Sequence, residues 1–252
     1  MRAPLSRRHF LSLSALTAPA LISARAARAE EAVDVELVLA VDVSRSVDAV
    51  EMEMQMRGYA AAFRDPRLGE GVTGGPVGAI AVMLFTWSDW HIQEVLIPWM
   101  RIGGTADAAR FAAAVDAAPR RTHLYTSISG AMDFSTRQFG QGFEGTRRVV
   151  DISGDGVNNS GRPVSEARAE ALEKGIVLNG LAVLDNAPPP AGLNLGLPPL
   201  DDYYRDQVIG GPGAFLMVAE GFEAFETAVR RKIIREIAVA PTPGALVERA
   251  VG

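Results

Sequence analysis

The sequence predicts an α/β protein with a doubly wound, mostly parallel sheet, helices on both faces and one antiparallel edge strand. Two observations carry that expectation. From residue 33 onward, short apolar runs rich in β-branched residues alternate with segments of helical periodicity. Several of those runs lack polar alternation, as strands covered on both faces do. The chain has 252 residues, 48% hydrophobic and 22% charged, which suits one full domain of this kind and is short for two.

Residues 35–41, VELVLAV, read as a buried strand. Residues 47–64 read as a helix, because Val47, Val50, Met54, Tyr59 and Phe63 recur at roughly helical spacing with charges between them. The next stretch, RLGEGVTGGPVG, contains the letters G-x-G-x-x-G at Gly69–Gly74. It follows a helix and precedes a strand, the reverse of a dinucleotide-binding turn, and reads as a loop. Residues 79–87 form a second buried strand. Residues 91–102 form the edge strand, since Pro98 removes a ladder donor. A helix over 105–115 takes Thr105 as its cap, and another covers 126–139. Strand 147–153, helix 163–174, strand 176–184, strand 214–219 and helix 221–238 follow. Residues 186–204 carry too much Pro and Gly for a regular element and lead into a short helix near 201–209. The domain spans 30–240, with 241–252 expected as a loose tail.

Residues 1–29 have the form of an export signal: a charged start, the uncharged stretch SLSALTAPALISA, and Ala27-Arg28-Ala29 as a cleavage site. The run Arg7-Arg8-His9-Phe10-Leu11 resembles the bacterial twin-arginine address, which implies a periplasmic or otherwise exported protein. The apolar stretch is too short, and too interrupted by Pro19, to span a membrane. Cleavage would remove five arginines and no carboxylate, taking the net charge from −5 to −10. So acidic a chain, with Lys174 and Lys232 as its only lysines, lacks the basic face that nucleic acid requires. It has no cysteine, which excludes disulfides, thiolate zinc and iron–sulfur clusters.

The chemistry gathers where strands end. Ligands of doubly wound sheets bind at the carboxyl ends of strands. Asp42, Ser44 and Ser46 stand at such an end, spaced by two, and on extended backbone would share one face. One of them as a helix cap is the simpler reading, but a cap needs only one such residue. Thr126 opens a helix, and Asp155 follows another strand in the run DISGDGVNN. Two carboxylates and three hydroxyls are hard oxygen donors of the kind that suits Mg²⁺, with Mn²⁺ or Ca²⁺ as competitors.

Asp42-x-Ser44-x-Ser46, then Thr126 in TSISGA, then Asp155-Gly156, resembles the metal-ion-dependent adhesion site of von Willebrand factor type A (vWA) domains. The order and approximate spacing hold across roughly residues 33–240. The resemblance implies a Rossmann-like vWA fold, with the serines and threonine ligating directly and the aspartates directly or through water. It also implies a protein partner that presents an Asp or Glu to the ion. One departure stands out. The family has Thr or Ser before the last aspartate, and this chain has Gly154. Either the strand ends one residue early, or Asp151 competes for the role. Asp151 could instead be a partly buried structural carboxylate.

Two functions follow. One is an exported metal-dependent binding module with Arg45 and Trp87 as candidate rim residues. The other is a metal-dependent hydrolase whose ion activates water, with Asp151 or Asp89 as the only candidate general bases. No catalytic residue is assigned. His91 and His123 are the only histidines after residue 29 and build no triad signature.

Overall fold

The computed structural model describes residues 30–184, 196–237 and 246–251. The signal region lies outside the described residues. Seven strands form one sheet in the order β3-β2-β1-β4-β5-β6-β7. They are β1 (Glu31–Asp42), β2 (Ile80–Trp87), β3 (Gln93–Ile102), β4 (Phe143–Gly154), β5 (Ile176–Val183), β6 (Phe215–Ala219) and β7 (Leu246–Ala250). Every neighbouring pair is parallel except β2–β3. The antiparallel strand sits at the edge, as Pro98 predicts.

The helices are α1 (Ala49–Arg64), α2 (Pro66–Thr73), α3 (Thr105–Ala117), α4 (Ile128–Thr136), α5 (Val164–Glu173), α6 (Leu200–Tyr203) and α7 (Phe225–Ile237). Alternation along the buried strands divides the core in two. Leu37, Leu39 and Val41 of β1 pack with Met56, Tyr59, Phe111 and Phe225 from α1, α3 and α7. Val38 and Ala40 face the other way, toward Ile128, Met132 and Ala167 of α4 and α5. Helices therefore cover both faces. None among the described residues is long and apolar enough to cross a membrane.

Three expectations need correction. The glycine-rich connection is helical over α2. Asp65 caps it by accepting from Arg67 N at 3.0 Å, Pro66 stands at the helix start, and Leu68 and Val72 bury on the core side. Gly69 and Gly71 serve packing there, since a Cβ at either position would come within 2.6 Å of Thr105 or 3.0 Å of Ile237. Thr105 is the first residue of α3; Gly104 occupies the cap position and offers no side-chain bond. The stretch 241–252 is not all tail, because Leu246–Ala250 add β7 alongside β6 in parallel. The charged Glu248 and Arg249 suit an edge strand, and the sheet supplies the pairing that so short a segment lacks alone.

Candidate metal centre

The chain runs from β1 to β2 and β3 on one side of the sheet, then returns to β4 on the other side of β1. This reversal is a topological switch point, where the loops after β1 and β4 diverge and open a crevice. Asp42 is the last residue of β1, and Asp155 is the first after β4. Gly154 thus ends the strand and sets Asp155 at its mouth.

Helix α1 takes its cap from Asp48. Its Oδ1 accepts from Val50 N at 2.7 Å and Glu51 N at 2.9 Å, while Glu51 Oε2 accepts from Asp48 N at 2.8 Å. This reciprocal capping box contributes about 1 kcal/mol and leaves Asp42, Ser44 and Ser46 out of capping altogether. The backbone after Asp42 is a turn and not an extended run; Val47 N donates to Ser44 O at 3.0 Å. The turn still gathers the oxygens. Ser44 Oγ lies 3.2 Å from Ser46 Oγ, Ser46 Oγ donates to Asp155 Oδ1 at 2.6 Å, and Ser44 N donates to Asp42 Oδ1 at 2.7 Å.

Thr126 joins from the start of α4, which Ser127 caps by accepting from Gly130 N at 3.1 Å. Its Oγ1 lies 3.6 Å from where a Cβ on Gly156 would stand. Two residues absent from the sequence expectations hold it there. Asn159 Oδ1 accepts from Thr126 N at 2.9 Å, and Asn159 N donates back to Thr126 O at 2.8 Å. Asn158 Oδ1 accepts from Ser129 N at 3.1 Å. The paired asparagines one residue beyond Gly-Asp-Gly are the signal that could have found them, since Asn side chains stand in for backbone in loops.

Asp42 is fully buried, and its Oδ2 has no hydrogen-bond partner among the described residues. Burial, with Asp155 beside it, pushes its carboxyl well above the usual carboxylate range, although hydrogen bonds from Ser44 and Asp155 pull the other way. A divalent cation would reverse that balance by supplying the missing counter-charge. The donor set therefore fits a hard, oxygen-seeking ion: two carboxylates and three hydroxyls with one carboxylate oxygen uncommitted. Among the described residues no group of three or more His, Cys, Asp and Glu offers an alternative centre.

The other candidates separate. Asp151 is fully buried on the α1–α7 side of the sheet, its Oδ1 2.7 Å from Lys232 Nζ, and takes no part in the crevice. Strand alternation explains this, because Asp42 and Gly154 point to the α4–α5 side and Asp151 to the opposite one. Asp89 accepts hydrogen bonds from Ser160 Oγ and from Trp90 N. Trp87 is not a rim residue: it is fully buried against Ile128, Met132 and Phe85, facing the α4–α5 core. Trp90, three residues on, is exposed. Arg45 does project to solvent, beside a groove of about 490 Å³ that His91, His123, Leu124 and Tyr125 also line.

Similarity to solved structures agrees with the topology. Proximal thread matrix protein 1 of the mussel byssus aligns with a TM-score of 0.60 at 13% identity, over 82% of this chain and 49% of that one. The chain thus spans about half the length of the mussel protein. That protein has also been solved with a zinc-occupied MIDAS motif, aligning at 0.52 and 14% identity over 82% of this chain and 46% of that one. A von Willebrand factor type A protein of Catenulispora acidiphila aligns at 0.51 and 13% identity, over 82% and 43% of the two chains. The conserved hypothetical protein BatB of Bacteroides thetaiotaomicron aligns at 0.51 and 19% identity, over 80% and 98%. The fold is vWA-like. No curated protein matches the sequence significantly. The family described as "Protein of unknown function (DUF1194)" matches residues 32–241, and the chain belongs to that family.

Proposed function

We propose that this protein is an exported, metal-dependent protein-binding module. A divalent cation, Mg²⁺ in the first instance with Mn²⁺ or Ca²⁺ as substitutes, is held by Asp42, Ser44, Ser46, Thr126 and Asp155. A partner's Asp or Glu completes its coordination. The observation that carries this reading is the buried Asp42 Oδ2, left without a partner beside the clustered hydroxyls of Ser44 and Ser46. The zinc-occupied motif of the mussel protein supports a divalent ion in this fold. Two carboxylates against two positive charges leave no net negative charge to repel an incoming carboxylate, and the ion then dominates the local field. Arg45, exposed and without an acidic partner among the described residues, favours an acidic partner segment.

The hydrolase reading loses its bases. Asp151 lies across the sheet, and Asp89 is occupied by the Ser160 loop. The test is capture of a partner from periplasmic extract in Mg²⁺, repeated with EDTA and with Asp155→Ala. Binding should vanish in both. Metal-dependent turnover of a phosphoester by the wild type, abolished by Asp42→Ala, would overturn the reading. Export is tested by replacing Arg7 and Arg8 with lysine, which should hold the precursor inside the cell.

A further inference from the structure

Beneath Asp42 lies a second buried oxygen without a partner. Tyr204 is fully buried, and its hydroxyl, like Asp42 Oδ2, makes no hydrogen bond among the described residues. The two atoms flank one point. A Cβ built on Gly154 would stand 2.6 Å from the Tyr204 hydroxyl and 2.8 Å from Asp42 Oδ2. The ring lies across the sheet, where a Cβ on Gly180 of β5 would stand 3.0 Å from it. Glycines on two adjacent strands thus leave room for one tyrosine, whose hydroxyl reaches toward the end of β1. An unpaired buried hydroxyl is costly, so a fold that clears space for one needs a reason.

The segment that delivers it is equally specific. Tyr204 opens a π-helical turn, Tyr204–Val208, closed by Ile209 N donating to Tyr204 O at 3.0 Å. Single π turns are rare and cluster at functional sites. The preceding residue works on the same loop from outside: Tyr203 Oη accepts from Asn158 N at 3.3 Å. Asn158 is three residues beyond Asp155. Consecutive tyrosines therefore meet the site at two points, Tyr203 on the loop after β4 and Tyr204 near the carboxylate of Asp42.

We propose that Tyr204 is a positioning residue of the metal centre, its hydroxyl supplying a neutral donor beneath Asp42 that orients the carboxylate for the cation. The inference rests on the metal-site reading above. It also gives the chain after the Pro/Gly-rich stretch a role, as the floor of the site. The hydroxyl that a side chain at 154 lacks arrives instead from another segment.

The experiment titrates MgCl₂ into wild type and Tyr204→Phe, following heat and the near-ultraviolet tyrosine difference spectrum. Phe keeps the ring over Gly180 and removes one oxygen, and the melting temperature without metal should not fall. Mg²⁺ affinity should drop about ten-fold, as when an outer partner of a ligand is removed. The wild type should show a metal-induced tyrosine perturbation that the variant loses. Equal affinities would overturn the proposal. So would weaker binding with an unchanged difference spectrum, which would assign the effect to packing. A wild type that binds none of Mg²⁺, Mn²⁺ and Ca²⁺ would instead remove the metal site itself, and this inference with it.

Discussion

Lys232 Nζ lies 2.7 Å from Asp151 Oδ1 and 2.5 Å from Glu236 Oε1, with all three side chains sealed in the core between the sheet and α7. Asn179 Nδ2 donates to the same Glu236 oxygen at 2.9 Å. Two carboxylates thus share one ammonium, far from solvent.

Removing the ammonium alone should be severe. Lys232→Met leaves the Asp151 and Glu236 carboxyls buried together without their counter-charge and should cost about 3–5 kcal/mol, the range for breaking a buried pair. A protein of this size should then melt roughly ten degrees lower. Replacing Lys232, Asp151 and Glu236 together by apolar residues should recover most of that loss. A Lys232→Met protein within 1 kcal/mol of wild type, about the worth of an exposed pair, would show that the trio is not desolvated.

The same trio sets a pH dependence. Burial, and then Glu236, raise the Asp151 carboxyl from 3.8 to about 7, against the pull of Lys232. The folded state therefore binds a proton that the unfolded state releases. Stability from this group is present below its unfolded value and is lost as the pH climbs from about 4 to about 7. The difference in unfolding free energy between wild type and Asp151→Asn should change over that window and level off above it. Denaturant melts from pH 4 to 8 measure it. Parallel curves would refute the assignment.

At the proposed metal centre the expected order of effects follows from the contacts. Millimolar Mg²⁺ should raise the melting temperature by mass action on the folded state, and Asp42→Ala should abolish the rise. Asn159→Ala removes no proposed ligand but strips Thr126 N of its acceptor, so it should weaken Mg²⁺ binding several-fold and leave the site formed. Thermal shift against Mg²⁺ concentration separates the two. Full Mg²⁺ response in Asp42→Ala would remove the site from this sheet edge.

Where α1 crosses α7, two effects compete at Gly58. Alanine there gains about 1 kcal/mol of helix propensity. Its Cβ would stand 2.9 Å from the Phe225 ring and 3.2 Å from Glu226 Cα, and the second atom is backbone. Overpacking at such contacts costs about 1–3 kcal/mol, so Gly58→Ala should be destabilised by about 1 kcal/mol net. A more stable variant in urea would mean that α7 can give way.

Six of the seven strands and most helices were legible because their signals are local; β7 was read as tail. Apolar runs such as VELVLAV can do little but enter a sheet, and Pro98 marks its strand for the edge. That Asp42, Ser44, Ser46 and Asp155 lie together was legible because strand ends in this topology share one edge. What escaped depends on distant partners. Trp87 reads as a rim residue by position alone, yet α4 covers it. Tyr204 has no local signal, since its meaning comes from glycines on β4 and β5. Asp151 reads as a candidate base until Lys232, some eighty residues away, is seen to face it. Helix α2 hid behind its glycines, whose cost the contacts with Thr105 and Ile237 offset.

The burial of Lys232 also makes the protein a reporter of its own opening. Its only other lysine, Lys174, is exposed beyond the end of α5. An amine-reactive reagent at neutral pH should acylate Lys174 in the folded protein and reach Lys232 only when α7 lifts from the sheet. The ratio of the two modified peptides in a mass spectrum would then count excursions to the unfolded state, with one lysine as the clock and the other as its internal standard.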